Sequence, residues 1–272
     1  MNLAISNIAW NPDEDGGVAD SMVAHGFGGV ELAPGKLFPR PEAASAAQVQ
    51  AVRAFWEARG IRVVALQALL FGHPELTLFQ SSEMRARTSE HLAAIIRLGA
   101  ALGAGALVFG SPKNRARGDL PAAAARTIAI DFFGALGELA LAAGTCLCLE
   151  PNPVQTGADF CTDSIQSLEL VEAVRSPGFG LHLDTACARL AGEQFPARVR
   201  ASAHALRHVH FSEPDLAPVG PGGTLDARAG AAALRDTSYA GWVSIEMRSS
   251  PVSNLAAVER ALRHVALESA SP

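Results

Sequence analysis

Short, nearly continuous apolar runs alternate with longer helical stretches along the whole chain. The runs 2–7 (NLAISN), 29–32 (GVEL), 62–66 (RVVAL), 106–109 (ALVF), 146–150 (CLCLE), 179–184 (FGLHLD), 207–211 (RHVHF) and 242–246 (WVSIE) read as strands. Most of them lack the polar alternation of a half-exposed sheet, as expected of parallel strands buried on both faces. Between them, 17–26, 47–59, 83–103, 121–143, 162–175, 193–206, 226–235 and 253–267 read as helices. Asp163 and Ser164 stand where the fifth helix should be capped, and Gly60 and Gly144 stand just past helix ends, where a left-handed residue is wanted. Eight strand–helix units are what closes a barrel. The expected fold is therefore α/β, a (β/α)8 TIM barrel in a single domain over 1–272.

The length of 272 residues suits this architecture, for which about 250 residues form one domain. Hydrophobic residues make up 49% and charged residues 18%, enough apolar material for a buried core and too little charge for a disordered chain. A net charge of −5 gives no basic face for a nucleic acid. The most apolar stretch, Leu92 to Gly110, contains Arg97 and several glycines, and reads as a helix and a strand with no membrane span. The N-terminus MNLAISNIAW lacks a basic, cleavable leader, so a cytoplasmic protein with reduced cysteines is expected. Cys146 and Cys148 share the fifth strand and are expected to point to opposite faces. No dinucleotide glycine motif, phosphate loop or serine elbow is present.

Four residues then stand out. Glu150, Asp184, His210 and Glu246 each close a predicted strand, at steps of 34, 26 and 36 residues, about one strand–helix unit. In a barrel the strand C-termini gather at one mouth. One imidazole and three carboxylates there form a hard, oxygen-rich donor set for a single divalent cation. It suits Mn2+ first, with Mg2+, Co2+ or Fe2+ as alternatives.

The succession of Glu150, HLDT, HVHFSE and a C-terminal IE resembles the sugar isomerase/epimerase superfamily of xylose-isomerase-like barrels. That superfamily includes ketose 3-epimerases, hydroxypyruvate isomerases, inosose dehydratases and the more distant endonuclease IV enzymes. The resemblance implies that Glu150, Asp184, His210 and Glu246 hold the metal, Zn2+ being a further alternative to Mn2+. It also implies that Glu150 and Glu246 form the acid/base pair. Sugar isomerisation or epimerisation through an enediolate follows as the expected activity, on a small carbohydrate and in a protein that is often a homo-oligomer. Elimination from a keto-sugar or inosose is the alternative; endonuclease-type hydrolysis would need more ligands and a basic face. The chain departs from the ketose 3-epimerases at three places. Cys187 stands for a substrate-binding His, Leu216 for an Arg, and Gln155 and Thr156 for an acidic residue.

Further candidates lie on the expected mouth loops. Lys113 and Arg115 in GSPKNR are read either as an anion grip or as a solvated basic loop. Asn152 in EPNP is a candidate for a substrate hydroxyl, Arg248 for a substrate contact or a partner of Glu246, and Cys187 for the substrate wall. His182, on the Asp184 face, is read as a group near the metal or as a core histidine, and His208 as structural. Glu31 is either a mouth acid or an internal ion-pair partner. Trp10 and Phe71 are candidate stacking walls, and His73 is a polar group on a long loop.

Overall fold

The computed structural model describes residues 1–270. Among them β1 (Asn2–Ser6), β2 (Gly29–Leu32), β3 (Arg62–Leu66), β4 (Ala106–Phe109), β5 (Cys146–Leu149), β6 (Phe179–Asp184), β7 (Leu206–Ser212) and β8 (Trp242–Glu246) pair in parallel and in chain order. The β1–β8 pairing closes the barrel. The expected single-domain TIM barrel is the observed one.

The outer ring comprises α1 (Asp15–Ala24), α2 (Pro34–Leu37), α3 (Ala46–Glu57), α4 (Ser82–Leu102), α5 (Ala122–Ala142), α6 (Ser164–Val174), α7 (Thr185–Leu190), α8 (Phe195–Ser202), α9 (Ala227–Asp236) and α10 (Asn254–Ala270). Local chemistry sets several of their ends. Ser45, Ser81, Asp163 and Asp226 cap α3, α4, α6 and α9 by accepting from backbone N–H groups of the first turn. Gly60 and Gly144 adopt φ of 72° and 76° just past α3 and α5, as C′ residues do. No helix among the described residues is long and apolar enough to cross a membrane.

Two features differ from the sequence expectation. Residues 185–192 read as a loop, yet Thr185–Leu190 are helical because the Asp184 carboxylate caps them through the Cys187 N–H at 2.6 Å. Cys146 and Cys148 do not face opposite ways. Residues two apart on a strand share a face, and both cysteines enter one interior cluster with Ala4, Val64, Ala65 and Ala106, against Trp242. The main core is the separate layer between sheet and helices, led by Trp56, Phe133, Leu147, Phe211 and Leu262.

The barrel interior changes character along its axis. At the floor sits that cluster of small side chains, with Trp242 packed so closely that a Cβ on Gly29 would lie 2.7 Å from its ring. Further along, in steps of two residues per strand, β5 runs Cys146, Cys148, Glu150; β6 runs Gly180, His182, Asp184; and β8 runs Trp242, Ser244, Glu246. Each strand delivers its polar residue toward its C-terminal end.

Candidate metal centre and active site

Glu150, Asp184, His210 and Glu246 each place one donor atom within 4.8 Å of every other. They come from the ends of the last four strands. The register puts Asp184 opposite His210, His210 opposite Ser244, and Ser212 opposite Glu246, so the pairing itself gathers these side chains. Asp184 and His210 are 3% and 1% exposed. Glu150 and Glu246 are the more open pair, at 11% and 13% of side-chain area.

Each member is held by defined partners. Asp184 accepts from the Cys187 N–H through Oδ1 and from the Ser212 hydroxyl through Oδ2. Glu150 accepts from Asn152 Nδ2 at 3.2 Å. Gly110 makes room for it: a Cβ there would stand 1.9 Å from Glu150 Oε2. His210 Nε2 lies 2.9 Å from Glu31 Oε2, and its Nδ1 lies 3.3 Å from Glu246 Oε2 and 4.0 Å from Asp184 Oδ2. Glu31 thus takes one ring nitrogen and turns the other toward the carboxylates, an arrangement that fixes the ring and raises its basicity.

The electrostatics are strained without a cation. Burial, then Glu246 and Asp184, push the Glu150 carboxyl up to about 8. Burial and Glu246 raise Asp184 as well. Burial opposes charge on His210, but Glu31 and Glu246 outweigh it and hold the imidazole well above its usual range. Burial also opposes charge on Glu31, yet His210 and His208 keep it well below the usual carboxylate range. Burial and the neighbouring His210 and His208 press His182 well below, so it is neutral. Three crowded carboxylates facing one imidazole nitrogen fit a divalent ion, which would offset their mutual repulsion and return Glu150 to its ionised form. Glu150, Asp184, Glu246 and His210 Nδ1 are the donors that would hold it.

The candidate contacts separate into two groups. Arg115 is 1% exposed, and its guanidinium donates to the carbonyls of Phe109 and Glu150 and to Asn152 Oδ1. It braces the backbone that carries Glu150 and leaves no free anion grip. Asn152, also buried, is spent between Arg115 and Glu150. Trp10 lies in the apolar core at 1% exposure and donates its indole N–H to Asp15, so no open stacking face remains. Glu31 is fully buried, the internal partner and no mouth acid. His208 is buried too, its Nε2 3.5 Å from Glu31 Oε1. Lys113 and Arg248 are exposed, His73 is half-buried with its Nδ1 3.2 Å from Glu75 Oε1, and Phe71 is 81% exposed. Cys187 is half-buried, its sulfur 4.0 Å from Asn152 Nδ2; burial and then the Asp184 charge keep the thiol well above its usual range, hence protonated.

Ser212, Gly110 and Glu213 were not singled out from sequence. Ser212 had a readable signal, two residues past His210 on the same strand face. Glu213 pins the Gly/Pro-rich segment 212–225, accepting from Thr224 N, Thr224 Oγ1 and Leu225 N at 2.9, 2.6 and 2.9 Å. That segment is a fastened rim. A cavity of about 470 Å3, lined among others by Thr185, Arg189, Phe195, Ser212 and Thr224, opens beside the centre. It touches none of the four converging residues and shares only Ser212 with the hydrogen bonds that hold them.

A family described as xylose isomerase-like TIM barrel matches residues 19–267. The chain belongs to that family. Comparison with curated proteins gave no match. Solved structures of the xylose isomerase-like fold align over nearly the full chain. D-psicose 3-epimerase from Clostridium cellulolyticum H10, crystallised with D-tagatose, aligns with a TM-score of 0.79 at 17% identity, covering 98% of this chain and 97% of its own. The probable 3-DHS dehydratase AsbF from Bacillus anthracis gives 0.74 at 13% identity, over 97% and 98%. The IOLI protein, solved with a bound zinc atom, gives 0.75 at 18% identity, over 99% and 98%. These are likenesses of fold.

Proposed function

We propose that this member of the xylose isomerase-like family is a divalent-metal-dependent isomerase or epimerase of a small carbohydrate. The observation that carries the reading is the convergence of Glu150, Asp184, His210 and Glu246 within 4.8 Å at the barrel mouth. A cation bound there supplies Lewis-acid stabilisation to oxygen charge developing on the substrate.

The chain's own residues handle the proton. A C–H next to a carbonyl is a weak acid, and its removal needs a positioned base. Glu150 and Glu246 stand on β5 and β8, separated around the wall by β6 and β7, so they reach a bound carbon from different directions. In its ionised form one glutamate takes the proton while the C–H electron pair moves into the enediolate. The protonated partner then delivers a proton, to the opposite face of the same carbon in epimerisation or to the neighbouring carbon in isomerisation. Asp184, clamped by Ser212 and the α7 N-terminus, stays out of the transfer.

Cys187 supports a second reading, elimination. A protonated thiol there makes a poor hydroxyl-binding group compared with an imidazole, so a keto-sugar with fewer hydroxyls to recognise, losing water after the same proton abstraction, fits the wall. Deuterium exchange separates these outcomes. Protein loaded with Mn2+ and an EDTA-treated control are incubated in D2O with ketoses, aldoses, inososes and keto-sugar acids, and the products are read by NMR after chelation. Metal-dependent loss of one C–H signal is expected. A product of unchanged composition indicates isomerase or epimerase, and an enone indicates a dehydratase. Full exchange by Glu150→Gln would overturn the mechanism.

A further inference from the structure

Two buried side-chain amides at the mouth are each only half satisfied. Asn7 is 4% exposed and Gln67 5% exposed. Asn7 Oδ1 accepts from the Ala33 N–H at 2.8 Å, and Gln67 Nε2 donates to the Ser6 hydroxyl oxygen. The other halves, Asn7 Nδ2 and Gln67 Oε1, have no hydrogen-bond partner among the described residues. Buried polar groups are nearly always satisfied, so two such atoms call for a physical account. Neither is among the partnerless atoms sealed from solvent, which include both His182 ring nitrogens, His208 Nε2 and Ser244 Oγ. Both therefore keep access to solvent.

The backbone holds the two amides together. The Gln67 N–H donates to the Leu32 carbonyl at 3.1 Å, and Asn7 Oδ1 takes the N–H of Ala33. The pair thus grips opposite edges of one peptide group at the end of β2. Ser6 fixes the Gln67 amide. Its Oγ accepts from Ile8 N as well as from Gln67 Nε2, which fills both hydroxyl lone pairs. The β1–β2 register sets Ser6 level with Glu31, and the pairing of Ile5 with Ile245 carries Ser6 level with Glu246. In the closed ring β1 stands across from β5, and β3 across from β7. The two amides therefore occupy the wall opposite Glu150 and His210, outside the donor groupings of the centre.

We propose that Asn7 Nδ2 and Gln67 Oε1 read a hydroxyl of the substrate beyond its enolised carbons, which makes these two residues determinants of specificity. The inference rests on the reading of the chain as a sugar-enolising enzyme. A sugar hydroxyl both donates and accepts, and the pair offers one acceptor and one donor. Neither atom is charged, so the pair matches a neutral polyol arm and not a phosphate or carboxylate. A few placed polar groups are what fix orientation in a ligand pocket. A site built to hydrogen-bond a hydroxyl also rejects the analogue that lacks it, because its own buried groups are then left unpaired. Asn7 and Gln67 discriminate between substrates, and the glutamates move the proton.

The test uses a ladder of ketoses. Dihydroxyacetone, L-erythrulose, D-xylulose and D-tagatose share a hydroxyketone head and add one CHOH unit at each step. Metal-dependent deuterium exchange by Mn2+-loaded protein gives kcat/KM for each. In the parent, one added unit should raise kcat/KM about 10- to 100-fold. In Gln67→Met, and separately in Asn7→Asp, that step should shrink to less than about threefold. Asn7→Asp keeps the oxygen that holds the Ala33 N–H and removes only the Nδ2 donor, so a merely structural clamp would leave the step intact. A full step retained in either variant would overturn the pair and leave the enolising activity standing. A parent that treats all four ketoses alike within about threefold would also overturn it, and that result needs no variant to fold. Exchange of none of the four would instead bring down the reading of a ketose-enolising enzyme, and this inference with it.

Discussion

The two ends of the barrel interior are built from the same strands to opposite specifications. At the floor, Ala4, Val64, Ala65, Ala106, Cys146 and Cys148 pack with Trp242 and contain no charge. At the mouth, Glu150, Asp184, His210 and Glu246 crowd three carboxylates around one imidazole. Only three residues lie between the extremes, Cys146 and Glu150 along β5 and just past it, Trp242 and Glu246 along β8. The floor gains stability from burial, and the mouth gives stability up to hold groups in unfavourable ionisation states. That division is a property of the architecture, in which the C-terminal face carries chemistry and the other face carries the fold.

Substitutions at each end should therefore separate activity from stability. The largest effect is expected from Glu246→Gln or Glu150→Gln, isosteric changes that remove one proton carrier. Turnover on whichever substrate the deuterium screen identifies should fall about 10^2- to 10^4-fold, with circular dichroism unchanged. For Glu150→Gln the metal-free protein should melt at a higher temperature than the parent, because a neutral amide relieves the repulsion that burial and Glu246 impose. A lower melting temperature would show that the mouth is not strained. Next in size is Trp242→Ala at the floor. It should cost about 3 kcal/mol in denaturant unfolding, the usual cost of opening a cavity at a packed aromatic. Co2+ affinity of the folded fraction should change less than about threefold; a large loss would mean that the floor also shapes the mouth.

Between the two ends lies a layer that belongs to neither. Glu31 and His208, with His182, form a buried shelf on which His210 rests, and the His210–Glu31 contact is its strongest link. Glu31→Gln keeps the shape and removes the charge. Metal affinity should drop about 10- to 100-fold, the usual effect of losing a carboxylate behind a metal-facing imidazole. Isothermal titration of the variant and the parent checks this, and equal affinities would break the link.

The strands, the barrel and the convergence of the four mouth residues were legible in sequence because each is a one-dimensional signal: an apolar run, its spacing, and the last residue of that run. The middle layer was not. That Glu31 faces His210 depends on β2 and β7 meeting across the interior, 179 residues apart in the chain, which no local pattern encodes. Arg115 misled for a related reason. Its loop is basic and polar, yet the Phe109 and Glu150 carbonyls and Asn152 draw the guanidinium inside, and only the fold shows that these acceptors lie within its reach. The α7 helix was hidden because it is only six residues long and its cap, Asp184, is also the last residue of β6.

The smallest expected effect is also the sharpest comparison, since it uses pH and no change of the floor. In the unfolded chain Glu150 loses its proton near its ordinary value of 4.5, whereas in the metal-free fold it keeps that proton up to about 8. Folded protein therefore binds more protons than unfolded protein across that window, and stability falls as pH rises through it. His210 acts in the same direction. Its folded value is raised, so its contribution is fully present below about 6.5 and is lost as pH climbs through the folded value. Glu31, held low, contributes stability that is already complete above about 4.5 and is lost only in acid. Metal-free protein should thus melt several degrees lower at pH 8.5 than at pH 6, since about 1 kcal/mol moves the midpoint of a chain this size by roughly 2–4 °C. Glu150→Gln should flatten that slope, while Trp242→Ala should lower both melting points and leave the slope intact. Saturating Co2+ should stabilise more at pH 8.5 than at pH 6, because the ion competes with fewer protons there. A slope equal in the parent and in Glu150→Gln would place the pH sensitivity elsewhere in the molecule and remove the contrast between the strained mouth and the settled floor.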